Sequence, residues 1–276
     1  MRKSAIAGAA AGTLIAAGIA APALAVEDGM AELSVLHGIP DTPVDVYVNG
    51  ANTIDDFQPG DLAGPLSLEP GDYEVALTAT DAADDSSPVL GPITLTLEAD
   101  MSYTAVAHLT AEGEPGANLF TNDISETAAG EGRLTVRHTA AAPAVDVWAD
   151  GSVLFENLAN PDEVMGDVPA GTYEAAVSLT GETDPVLGPT DVEVADGVNT
   201  IVYAWGSAEA GNLAVAVQTV DTHASSPSGV QAGTAGFADE GGSNTLAIGA
   251  TLAMLGLVAG GAVIALAGAM FLLRAV

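Results

Sequence analysis

Two stretches of this chain, about a hundred residues apart, are near copies, and that duplication limits the fold more than any single motif. Leu33-Ser34-Val35-Leu36-His37 leads to Val44-Asp45-Val46-Tyr47-Val48-Asn49-Gly50. Leu134-Thr135-Val136-Arg137-His138 leads to Val145-Asp146-Val147-Trp148-Ala149-Asp150-Gly151, with the same eight-residue step from His to Asp. The likeness continues: Pro70-Gly71-Asp72-Tyr73 is matched by Ala170-Gly171-Thr172-Tyr173, and Pro88-Val89-Leu90-Gly91-Pro92 by Pro185-Val186-Leu187-Gly188-Pro189. Two copies of about 95 residues predict two self-sufficient domains, 30–124 and 133–220, rather than a solenoid, which needs at least three repeats.

Within each copy the apolar period is two. Leu33, Val35 and His37 alternate with Ser34 and Leu36, and Val44, Val46 and Val48 alternate with Asp45, Tyr47 and Asn49. That is strand patterning, and Asn49-Gly50 ends it with a pair that readily takes positive φ. A Pro/Gly turn entering a strand through Tyr73 or Tyr173 pins the corner of a β-sandwich by its phenol hydroxyl, so both tyrosines read as structural. Further strand-like runs lie near 93–97 and 103–109, and near 190–194, 200–205 and 213–220. Six or seven short strands per copy, with no amphipathic helix, predict an all-β chain of two tandem immunoglobulin-like or transthyretin-like β-sandwich domains.

The flanks place this pair. Arg2 and Lys3 precede an Ala-rich apolar stretch ending in Pro22 and Ala23-Leu24-Ala25, a secretory signal helix with cleavage before Val26. Leu246 to Leu273 carries no charge and is long enough for a transmembrane helix. The expected protein is therefore single-pass in the cell membrane, its bulk extracellular and Arg274 inside. Residues 221–244, rich in Ser, Gly, Ala and Pro, read as a flexible stalk, and Asp123 to Gly132 as a polar connector. Gly256 and Gly260 form a Gly-x-x-x-Gly pair that permits a weak dimer.

Charge excludes several partners. All 37 acidic residues fall between Glu27 and Glu240, against only Arg133 and Arg137, a net of −35. Such a surface repels nucleic acid and anionic headgroups and suits salty surroundings, where counter-ions screen self-repulsion. Asp55-Asp56 and Asp81 with Asp84-Asp85 are acidic clusters in expected loops, but neither has the spaced ligands and glycine of an EF-hand. Cysteine is absent, so no disulfide framework or thiol chemistry is available.

The repeated His and Asp are the natural site candidates. His37 with Asp45 and His138 with Asp146 fit a structural role, His bonding to the adjoining turn and Asp closing local backbone groups. Zinc would need a third ligand, and His108 has no counterpart because Trp205 stands at its place. No Gly-x-Ser-x-Gly elbow and no Walker A loop occur, and the only Lys is Lys3. The expectation is no enzyme, no cofactor and no metal site. Trp148, Trp205, Tyr47 and Tyr203 could face a ligand but fit cross-strand packing better.

The Val-x-His opening, the Pro/Ala-rich step and the Val-Asp-Val-Tyr/Trp-x-Asn/Asp-Gly finish resemble domain of unknown function 4397, a family of exported bacterial and archaeal proteins often carrying tandem copies. The resemblance covers most of residues 30–220, including the Pro-Val-Leu-Gly-Pro segments. The first copy has Gly38-Ile39 after His, and the second has Ala140-Ala141-Ala142 without the usual turn Asp. The family has no established activity, so the resemblance implies location and fold and adds no chemistry. Function reads as binding or adhesion to a surface protein or wall polymer; the alternative is a passive envelope spacer or coat, with an envelope hydrolase more remote. Contiguous exposed aromatics on one sheet favour binding, and a uniformly acidic surface favours the spacer.

Overall fold

The computed structural model describes residues 26–80 and 82–222. The signal stretch with Ala23 and Ala25, Asp81, the stalk beyond Thr222 and the apolar run with Gly256 and Gly260 lie outside the described residues. Those described belong to the compact unit Met1–Gly229.

The first repeat contains β1 (Ala31–His37), β2 (Val44–Val48), β3 (Ala51–Phe57), β4 (Leu62–Leu68), β5 (Gly71–Ala79), β6 (Leu90–Leu97), β7 (Ser102–Leu109) and β8 (Pro115–Asn122). The second contains β9 (Glu131–Ala141), β10 (Val145–Ala149), β11 (Ser152–Leu158), β12 (Glu163–Pro169), β13 (Gly171–Leu179), β14 (Pro185–Val194), β15 (Val198–Ser207) and β16 (Ala214–Asp221). Each repeat is a sandwich of two four-stranded sheets, β4-β1-β7-β8 on β3-β2-β5-β6 and β12-β9-β15-β16 on β11-β10-β13-β14. The opening strand of each repeat runs parallel to its seventh, and the other ladders are antiparallel.

The fold class is the expected one, with eight strands per copy instead of six or seven. Edge strands β3, β4, β11 and β12 were hidden because their side chains are mostly exposed and their apolar alternation is broken. Asp55 and Asp56 consequently lie on strand β3, not in a loop. The connector is shorter than 123–132, since Glu131 and Gly132 already pair with β12.

Turn chemistry follows the residues. Asn49-Gly50 and Asp150-Gly151 hold φ of 50° and 77°, and 50° and 74°, the two positive values of a tight hairpin. In the Leu-Gly-Pro segments a Cβ on Gly91 would stand 2.7 Å from the Val75 carbonyl, and one on Gly188 2.6 Å from that of Ala175. Only glycine fits where these strands cross so closely. Apolar clusters line each interior, around Val44, Val46, Leu77, Leu95 and Leu97 in the first sandwich and Leu134, Val136, Val147 and Val194 in the second.

Period-two patterning implies that β1 has one solvent face, but Glu32, Ser34 and Leu36 are buried as well as Leu33. The cause is a third apolar cluster joining Leu36, Val106 and Phe120 of the first repeat to Ile201, Tyr203 and Val220 of the second. The outer face of β4-β1-β7-β8 packs on the outer face of β12-β9-β15-β16, giving four stacked layers.

Candidate functional site

The repeated His and Asp serve the turns beside them. His37 Nε2 donates to the Thr42 carbonyl at 2.7 Å and His138 Nε2 to that of Pro143 at 3.0 Å. A carbonyl only accepts, so Nε2 carries the proton and Nδ1 is bare. His37 Nδ1 has no hydrogen-bond partner among the described residues, and His138 Nδ1 accepts the Ala140 N–H. Asp45 Oδ1 accepts the N–H of Asp56 and Asp146 Oδ1 that of Asn157, at 2.9 and 2.8 Å. Asp56 and Asn157 have positive φ and lie where the ladder slips, since Val44 pairs with Phe57 but Val46 with Ile54. The motif Asp therefore satisfies the N–H that a β-bulge removes from the ladder. Tyr73 and Tyr173 donate to the carbonyls of Glu69 and Pro169, four residues back.

Burial lowers the pKa of both His37 and His138, partly offset by the carbonyl bonds and by Asp61 and Asp162 respectively. His108 lowers that of His138 a little further. A histidine whose folded pKa lies below its unfolded value near 6.5 binds more protons when unfolded. Its stabilisation is complete above that value and is lost as pH falls beneath it. The melting temperature should therefore drop between pH 7 and pH 5, and replacing both residues by Gln, which keeps a donor, should flatten the drop. Parallel curves for wild type and variant would place the titration elsewhere. Asp146, whose pKa is lowered by the N–H groups of Gly181 and Asn157, acts only at more acid pH.

Other candidates scatter. Asp84 accepts the N–H of Ser86, and its carboxyl is held below the usual range by Ser86. Among the described residues no group of three or more His, Asp or Glu is arranged to hold a metal. Tyr47 and Tyr203 are buried, and Trp148 is half-buried with Nε1 donating to Ser178 Oγ at 2.8 Å. Half-buried Trp205 lies on the first repeat, where a Cβ on Gly60 would stand 2.8 Å from its ring.

What the sequence reading passed over is Arg137. Fully buried in the seam between repeats, it donates from Nε to Glu163 at 2.8 Å and from one terminal nitrogen to Asn122 at 3.0 Å and Tyr203 Oη at 2.7 Å. Its guanidinium lies 4.4 Å from the centroid of Phe120 and 5.4 Å from that of Tyr203, within cation–π range. Tyr203 Oη donates to Gln218 at 2.6 Å, and Thr104 of the first repeat donates to the same oxygen at 3.0 Å. Burial raises the Tyr203 pKa, with Arg137 opposing. Arg133, four residues earlier on the same face of β9, bonds Asp167 and the connector residues Asp123 and Ser125. Both arginines among the described residues are thus used between the repeats.

The interiors of the two sandwiches differ. The first encloses a cavity of about 260 Å³ lined by Leu33, Val46, Ile54, Leu66, Val75 and Leu95 among others; the equivalent space in the second is about 40 Å³. The β2–β3 and β10–β11 registers equate Ile54 with Phe155, and the β1–β7 and β9–β15 registers equate Ala105 with Val202. Likewise Ala117 corresponds to Val215. The first sandwich has the smaller side chain at these three positions but the larger one at others, Leu66 against Gly166 and Leu95 against Val192, so the hollow follows from how the two sheets are spaced and not from side-chain size alone. At ~24 cal/mol per Å³, keeping such a cavity empty costs on the order of 6 kcal/mol, comparable with the net stability of a whole domain.

No curated protein matches the chain. The family model described as domain of unknown function (DUF4397) matches it twice, over residues 31–148 and 140–233. Since those matches span both sandwiches with their His–Asp bulge pins and tyrosine corners, this chain belongs to the DUF4397 family.

Proposed function

We propose that the chain is an exported, membrane-anchored cell-surface component whose two sandwiches act as one rigid body, a structural spacer or coat element and not a catalyst. The observation that carries this reading is the buried Arg137 seam. A module built to keep its halves mobile has no use for a buried cation bridging them, because parting the pair would strip Arg137 of Asn122 and of the Phe120 ring and leave it only Glu163 and Tyr203 of its own repeat. The remaining surface is acidic, and the tyrosines and tryptophans of the described residues are buried or half-buried, so no aromatic platform faces outward. Adhesion through stacked surface aromatics loses its support accordingly. Binding survives as a second reading for a different reason, the hollow interior of the first sandwich.

The topology is tested with protease added to intact cells. Fragments from residues 26–244 should be released, while a tag placed after Arg274 stays protected. Complete protection of 26–244, with the protein intact, overturns the reading.

A further inference from the structure

The hollow of the first sandwich has a shape as well as a volume. Its lining runs from Thr53 and Ile54 on edge strand β3 and Leu66 and Leu68 on edge strand β4 to Ala117 on β8, at the opposite edge. Crossing the four strands β4-β1-β7-β8 covers three interstrand spacings, about 14 Å. A volume of about 260 Å³ drawn out over that length makes the hollow long and narrow. No charged side chain is among the lining residues. Thr53 is exposed and Leu66 is 39% exposed, so the hollow reaches solvent between the two edge strands.

We propose that the first sandwich binds one neutral, unbranched apolar chain, threaded between its sheets from the β3–β4 edge. A dry apolar cavity of roughly 150 Å³ already takes up benzene, so this one holds on the order of ten carbons. Such a guest supplies the dispersion contacts that the apolar lining lacks across the hollow. Asp55 and Asp56 follow Ile54 on β3, and in a chain with 37 acidic residues the surface repels a carboxylate or phosphate, which favours a chain without an anionic end. The second sandwich binds none, because the equivalent space is only about 40 Å³. The inference does not depend on the spacer reading, since a rigid surface body can carry a guest in either case. Two sources share this chemistry: the tail of a lipid, and a free neutral alkyl compound.

The test uses the full chain in polymer-bounded lipid discs with three photoreactive probes: a neutral alkyl diazirine, a fatty acid with the same diazirine, and a phospholipid carrying it in one tail. After irradiation, labelled peptides are located by mass spectrometry. The neutral probe should label peptides containing Ile54, Leu66 and Ile93 at least tenfold more than those containing Phe155, Gly166 and Thr190. The fatty acid should label them less than the neutral probe. Labelling from the phospholipid identifies a membrane lipid as source, and labelling from the free probe alone a soluble one. Ala105→Val with Ala117→Val should cut the labelling at least tenfold while the strand spectrum in circular dichroism is kept; Ala105→Val alone serves if the pair does not fold. Equal labelling of the two repeats, labelling from none of the probes, or labelling that persists in the folded, filled variant overturns the proposal.

Discussion

Replacing Arg137 by alanine lowers the unfolding free energy of the paired sandwiches by about 3–5 kcal/mol, a fall in melting temperature of roughly 10 °C for a body of this size. The loss comes less from missing attraction than from what is left behind. Glu163, Asn122 and Tyr203 Oη all lose the guanidinium that satisfies them, and water cannot reach the last two. The first repeat supplies the control. Where the second has Arg137 opposite Glu163, the first has Leu36 opposite Leu62. Converting both Arg137 and Glu163 to Leu leaves neither charge alone, and its cost should be well below that of the single change. Denaturant melts of wild type, single and double variants check this. A double variant as damaged as the single one would show that Asn122 and Tyr203, not the charge pair, dominate the seam.

Molar sodium chloride should raise the melting temperature by about as much. Thirty-seven acidic residues stand against two arginines, and some face each other directly, as Glu174 does Asp191 across β13 and β14. The Debye length falls from about 30 Å at 0.01 M to about 3 Å at 1 M, which removes repulsion between all but adjacent carboxylates. Relief on the order of 0.1 kcal/mol per acid, below the 0.2–0.5 of one adjacent like-charge pair, sums to about 4 kcal/mol, or roughly 10 °C. The Arg137–Glu163 pair weakens less than a surface pair, because the guanidinium is buried although Glu163 is partly exposed. Thermal melts between 0.01 and 1 M salt give the answer. A large, saturable rise in millimolar calcium, with almost none in sodium chloride, would instead indicate specific ion sites.

The seam also explains how duplicated surfaces come to fit each other. Strand registers equate Leu36, Val106 and Phe120 with Arg137, Tyr203 and Gln218, and Thr104 and Asn122 with Ile201 and Val220. Where one face is apolar the other is polar, so first meets second with its groups satisfied. Two second faces would oppose two buried guanidiniums, and two first faces would leave Asn122 and Thr104 without Gln218 and Arg137. Specificity of this kind rests on the cost of the wrong pairing as much as on the gain of the right one.

Much of this was legible in the chain. Period-two patterning set β1, β2, β9 and β10, Asn49-Gly50 and Asp150-Gly151 set their hairpins, and the repeated His and Asp pointed to local backbone bonding, though not to the bulge that Asp pins, because each is decided by neighbours within about a dozen residues. The seam and the hollow were not legible. Leu36 and Arg137 read alike as the outward member of an alternating strand, and Ile54 reads as well as Phe155 for a half-buried one. Whether an outward face is wetted depends on a second sheet roughly a hundred residues away. Whether an interior is full depends on the summed volume of side chains from eight strands. Those two quantities exist only once the strands are packed, and they are what the tertiary structure decided.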